Sequence, residues 1–133
     1  MIVIDASALA SLLMMECGHE EIAGYLKDSI SVDQVAKEVG NAIWKAHARG
    51  FITKEDALGR FSDLIKLTRL VVRLFDEMDL IEDAIGIAID EGITIYDSLY
   101  VALALREGAE LLTLDSDQAR AARKRGVKVI EIC

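Results

Sequence analysis

The 133-residue chain contains no proline, where average usage of about 5% would place roughly six or seven. Glycine therefore does the punctuating: Gly50, Gly92, Gly108 and Gly126 each close a helical run shortly before an apolar segment. A cysteine framework is also missing. Cys17 and Cys133 are the two cysteines; with neither zinc-ligand spacing nor a disulfide-rich setting, they read as reduced thiols. His19 and His47 form no HxxxH-like ligand pair. Positive charge is scarce, 15 Lys and Arg against 23 Asp and Glu, for a net charge of −8. Phosphate binding ordinarily wants the opposite balance, unless several carboxylates hold divalent ions that invert the local field. No uncharged stretch approaches the roughly 18 residues of a spanning helix. The first residues lack a basic region, and Asp5 interrupts their apolar run, so no signal peptide is read. These absences lead to the expectation of a cytoplasmic protein with no membrane association.

What is present is a core. Apolar residues make up 53% of the chain, enough for one domain spanning residues 1–133. Apolar runs near 2–5, 29–32, 70–75, 110–114 and 127–132 read as strands, with helical periodicity between them. Arg73 marks the third as an edge strand. Strand and helix in alternation predict an α/β fold, a mainly parallel sheet with helices on both faces. Asp33 is the expected N-cap of a helix reaching Arg49, and Asp79 of one reaching Glu91. Thr53 opens another, with Leu58, Phe61, Leu64 and Ile65 toward the core. Small Ala84 and Ala88, with Gly86 between them, suit close helix packing.

The chain is organised around residues 93–117. Asp97 follows Thr94 at the spacing of a capping box, and the helix it opens is apolar on every side, so it must be buried. Gly108 ends that helix. Leu111 to Leu114 then form an interior strand that delivers Asp115 at its carboxyl end, where open α/β sheets place their ligands. Asp5 occupies the same position after the first strand. Asp5 also suits a helix N-cap, a role for which Ser7 competes. Glu38 lies on the shoulder of the apolar stripe formed by Val35, Val39, Ala42, Ile43 and Ala46, with Asn41 about one turn on. Taken alone it reads as a solvated mid-helix residue. Arg120, Arg123, Lys124, Arg125 and Lys128 cluster late in the chain, as a solvated face near a helix C-terminus or as a phosphate contact.

Asp5, Glu38, Asp97 and Asp115 have no basic partner at a fixed spacing. Converging carboxylates raise one another's pKa unless a cation joins them, and an all-oxygen set suits Mg²⁺ or Mn²⁺ rather than Zn²⁺. Water activated by such a metal attacks phosphodiesters. The segments IVIDASAL, EVGNAIWK, YDSLYVALA and LLTLDSD follow the order and spacing of one family. The chain resembles the PIN-domain ribonucleases, in particular the small VapC toxins of prokaryotic toxin–antitoxin pairs. The resemblance implies an endoribonuclease with an α/β/α fold and an acidic metal site. It places Asp5, Glu38, Asp97 and Asp115 in the acidic quartet, Asp117 as a second-tier ligand, and Ser7, Asn41 and Thr113 as supporting residues. It further implies an RNA substrate, a homodimer and a cognate VapB-like antitoxin. A catalytically silent PIN-like module that binds RNA or protein, and a phosphotransfer receiver whose acids ring Mg²⁺, are the alternatives. The receiver would require a late Lys that is not evident.

Overall fold

The computed structural model describes residues 1–133. In chain order the elements are β1 Ile2–Ile4, α1 Ala6–Leu13, α2 His19–Ala23, β2 Ser29–Val32, α3 Val35–Ala48 and α4 Lys54–Leu70. They continue as β3 Arg73–Phe75, α5 Ile81–Glu91, α6 Ile95–Glu107, β4 Glu110–Leu112, α7 Ser116–Lys124 and β5 Val129–Ile130. All strand pairs are parallel, in the order β3-β2-β1-β4-β5. The α/β expectation holds, and the strand bearing Arg73 is indeed an edge.

The order of the strands decides where the helices lie. Connections β1→β2→β3 step one way across the sheet, while β3→β4→β5 steps back the other way. Right-handed crossovers then put α1 to α4 on one face and α5 to α7 on the opposite face. Val3, Ile4, Leu111 and Leu112 are completely enclosed between the layers. Seven consecutive residues of α6, Ser98 to Ala104, are buried, and this helix packs on β1, β2 and β4. The direction of winding reverses between β1 and β4, which opens a crevice at their carboxyl ends.

Several local expectations change. The 70–75 run is split, because α4 continues to Leu70 and only Arg73–Phe75 pairs with β2. Within α4, Ala57 and Leu64 face the core, whereas Leu58 is 56% and Ile65 43% exposed. The helix carries two apolar rows and only one meets the sheet. Asp33 does not cap α3. Its Oδ1 accepts a hydrogen bond from the Glu77 N–H at 3.1 Å, fastening the end of β2 to the turn after β3. Asp79 lies in a short 3-10 turn and Leu80 precedes α5 instead. Gly86 faces open space rather than a neighbouring helix.

The largest correction concerns the cysteines. Cys17 and Cys133 form a disulfide, with Cα atoms 6.3 Å apart across a sequence separation of 116. Spacing rules read local patterns, and this pair is brought together only by the completed sheet. Gly18, at φ +79°, sits against the Ile132 side chain, and a Cβ there would overlap it. Glycine is thus required both for the backbone conformation and for the close approach.

A loop of this length should make the bond a strong constraint on the unfolded chain, on the order of 4–5 kcal/mol in the chain-entropy account. The guanidinium unfolding midpoint is expected to fall when reductant is added, and Cys133→Ser should lower it equally without reductant. An unchanged midpoint in both would mean that the sulfurs are not bonded in solution.

Candidate active site

Each of the four acids lies in the first turn of a helix or caps it. In a parallel α/β sheet the helices run back against the strands, so their N-termini gather at the strands' carboxyl edge. Asp5 caps α1 and Asp115 caps α7, while Glu38 and Asp97 sit in the first turns of α3 and α6. Partial positive charge at helix N-termini favours carboxylates there by about 0.3–1 kcal/mol each.

Asp5 is the most enclosed of them, 2% exposed. Its Oδ1 accepts the Ala8 N–H at 2.9 Å, so Asp5 and not Ser7 is the N-cap. The Ser7 hydroxyl instead turns to Asp5, 2.7 Å from Oδ1 and 2.9 Å from Oδ2. Thr113 donates to Oδ2 at 2.5 Å. The same two hydroxyls accept from the other side of the crevice, Ser7 from the Leu114 N–H at 2.8 Å and Thr113 from the Asp115 N–H at 3.0 Å. One carboxylate and two hydroxyls therefore lock the end of β1 to the segment after β4. Burial pushes the Asp5 carboxyl up from 3.8 to about 6, against the lowering effect of its donors and with a smaller push from Asp115.

Glu38 is half-buried and accepts a hydrogen bond from the Tyr100 hydroxyl at 2.7 Å. Burial raises its pKa, the Tyr100 bond opposes the rise, and the Asp97 charge adds to it. The N–H of Asp97 donates to Thr94 Oγ1 at 3.2 Å, which makes Thr94 the cap and starts α6 at Ile95, two residues before Asp97. Its carboxylate does not close the capping box but accepts from Gln118 Nε2 at 3.3 Å. Burial raises the Asp97 pKa first, then the charge of Asp115, with Asp117 contributing less. Asp117 is exposed on the first turn of α7. Asn41 is exposed as well, with no hydrogen bond to any of the four acids.

Two residues escaped the sequence reading. Gln118 is 1% exposed. Its backbone N–H donates to Asp115 Oδ1 at 2.9 Å while its side chain reaches Asp97, so it bridges the two acids. The side-chain oxygen is buried without a partner. A signal existed, since Asp115-x-x-Gln118 has the spacing of a capping box. Tyr100 had one too, because a tyrosine inside a fully buried helix needs a partner for its hydroxyl.

The result is a run of interacting like charges, Asp5–Asp115–Asp97–Glu38, and no ion pair reaches any of them. Four of the late basic residues are engaged elsewhere. Arg123 pairs with Glu131, Lys124 and Arg125 with Glu91, and Lys128 with Glu110. No three acids close into a ready-made cage. The donors these residues offer are hard oxygens alone, the chemistry that Mg²⁺ takes.

The raised pKa values give a sign for the pH dependence. A carboxyl whose folded pKa is raised binds its proton more tightly in the folded state. Its contribution is complete below the ordinary carboxylate range and is lost as pH climbs through the folded value. Between about pH 4 and about pH 6, metal-free wild type should lose thermal stability relative to Asp5→Asn, which keeps an oxygen for the Ala8 N–H. Melting curves in EDTA check this; a wild type that gains on the variant over that window would contradict it.

The model of the PIN domain matches residues 2–124. Ribonuclease VapC3 of Pyrobaculum aerophilum is 32% identical over 121 residues, covering 89% of this chain and 92% of that protein. Among solved structures, PAE2754 from Pyrobaculum aerophilum is similar with a TM-score of 0.75 at 21% identity, over 96% of this chain and 89% of that one. VapC20 of Mycobacterium tuberculosis, described as a sarcin–ricin loop cleaving toxin, gives 0.66 at 19% identity, over 91% and 95%. A parallel sheet with its acids at the switch point, matched along nearly its whole length, identifies the chain as a member of the PIN-domain family of the VapC type.

Proposed function

We propose that the protein is a Mg²⁺- or Mn²⁺-dependent endoribonuclease, the toxin of a VapBC-type pair. The observation that carries this reading is the gathering of Asp5, Glu38, Asp97 and Asp115 at four helix N-termini along one edge of the sheet, with no ion pair to a basic residue of the chain. The likeness to ribonuclease VapC3 supports RNA as the substrate. Asp5, Glu38, Asp97 and Asp115 would hold the ion directly or through water, with Asp117 at the rim. When bound, the ion supplies charge neutralisation at the phosphate and an activated water for attack on it.

The chain's own part is placement. Ser7 and Thr113 fix both oxygens of Asp5, and Gln118 holds Asp97 and Asp115 in register. With the Asp5 carboxyl pushed up to about 6 by burial, a cation competes with its proton as pH falls toward that value, so loading there is coupled to proton release. Four of the late basic residues are paired with acids of the same chain, while Arg120 is exposed and in no ion pair, free to meet a phosphate. Asn41 lies one turn beyond Glu38, open to a substrate on that side.

A cognate antitoxin and a second copy of the chain are the proposed protein partners. Large apolar side chains left in solvent support this, among them Trp44 on α3 and Leu58 and Leu70 on α4, of the kind that interfaces cover. No helix is long and apolar enough to cross a membrane, and the proposed place of action is the cytoplasm. A disulfide there is characteristic of intracellular proteins of hyperthermophiles.

Purified protein should cut end-labelled RNA with Mg²⁺ or Mn²⁺ and stop on addition of EDTA. Metal charge stabilisation of several kcal/mol at about 1.4 kcal/mol per tenfold in rate predicts a loss of about 100-fold or more for Asp97→Asn, with the fold retained. Undiminished cleavage in EDTA, or a fully active Asp97→Asn protein, would remove the metal mechanism.

A further inference from the structure

The four acids account for the ligands but not for what aims them, and Glu38 has the longest side chain to hold, restrained like Asp97 and Asp115 by one hydrogen bond to its carboxylate. It stands on α3, on the face of the sheet opposite α6. It has three rotatable bonds and is partly exposed. A single hydrogen bond restrains its carboxylate, from the hydroxyl of Tyr100 at 2.7 Å.

Tyr100 lies one turn beyond Asp97 on α6 and is 1% exposed. Its ring is packed in the core, so its hydroxyl is delivered to the crevice by a side chain with almost no freedom. A second bond joins the same two helices nearby, from Gln34 Nε2 to the Tyr96 carbonyl at 2.8 Å. Together they stitch α3 to α6 around the carboxyl edge of the sheet.

We propose that Tyr100 is a positioning residue, which holds the Glu38 carboxylate on the side of Asp97 so that the divalent ion meets a preset ligand rather than a mobile one. This rests on the metal-dependent reading above. Partners that orient a metal ligand typically carry about 10–100-fold in metal affinity or activity. The competing account is structural: a buried phenol needs an acceptor, and Glu38 supplies it.

Tyr100→Phe removes the hydroxyl and keeps the ring, and two readouts separate the accounts. Calorimetric titration of metal-free protein with Mn²⁺ should show binding weakened about 10–100-fold. The Mn²⁺ concentration giving half-maximal RNA cleavage should rise by a similar factor, with a smaller Mn²⁺-induced gain in melting temperature. In a Glu38→Gln background the same substitution should change Mn²⁺ binding no further, since its effect passes through the Glu38 carboxylate.

A Tyr100→Phe protein that melts lower when metal-free but binds Mn²⁺ like wild type overturns the proposal in favour of the structural account. So do effects that simply multiply in the double variant. Wild type that binds Mn²⁺ while Tyr100→Phe is indistinguishable from it overturns this inference alone; wild type with no Mn²⁺ response overturns the metal reading and this role with it. Should Tyr100→Phe not fold on its own because it leaves the Glu38 charge without its donor, the double variant removes that charge too: Mn²⁺ binding equal to that of Glu38→Gln supports the proposal, and weaker binding or a failure to fold overturns it in favour of the structural account.

Discussion

Four like charges are held at one edge of a buried sheet, and the rest of the site is arranged to tolerate them. Helix N-termini, two hydroxyls and one phenol all direct positive ends at these carboxylates. Magnitudes show that this is not enough. Helix ends contribute about 0.3–1 kcal/mol apiece. Yet with every donor in place burial still pushes the Asp5 carboxyl from 3.8 up to about 6, with Asp115 adding a smaller push. A bound cation is suited to cover the remainder, and the protein has assigned none of its own.

The same residues serve structure and site at once. Asp5 caps α1, receives Thr113 from across the crevice and sits where a ligand would be wanted. Asp115 caps α7 while its N–H binds the hydroxyl that holds Asp5. Capping and liganding are compatible because a carboxylate has two oxygens and several lone pairs. The choice between cap and ligand that local sequence poses for these residues is therefore a false one.

Acidity and the disulfide have a shared consequence. Four positive residues after β4 are drawn into pairs with Glu91, Glu110 and Glu131, which tie α7 and β5 to their neighbours. The Cys17–Cys133 bond fastens the segment after β5 to the end of α1. Together they secure the edge of the sheet adjoining Asp115.

Much was legible in the sequence because it is encoded locally. Apolar runs bounded by turn residues marked the five strands; the all-round apolar wheel of residues 98–107 marked the central helix. A carboxylate closing an apolar run marked Asp5 and Asp115, since chain direction puts such residues at the sheet's carboxyl edge, although β4 itself stops at Leu112 and Asp115 lies three residues on. What tertiary structure decided is what depends on distance along the chain. Cys17 meets Cys133 across 116 residues, Tyr100 meets Glu38 across 62, and Thr113 meets Asp5 across 108. Only one of the two apolar rows of α4 found the core, and Asp33 left its helix for the next turn. Periodicity fixes which residues share a face, but which face is covered, and by whom, is set by the order of the strands.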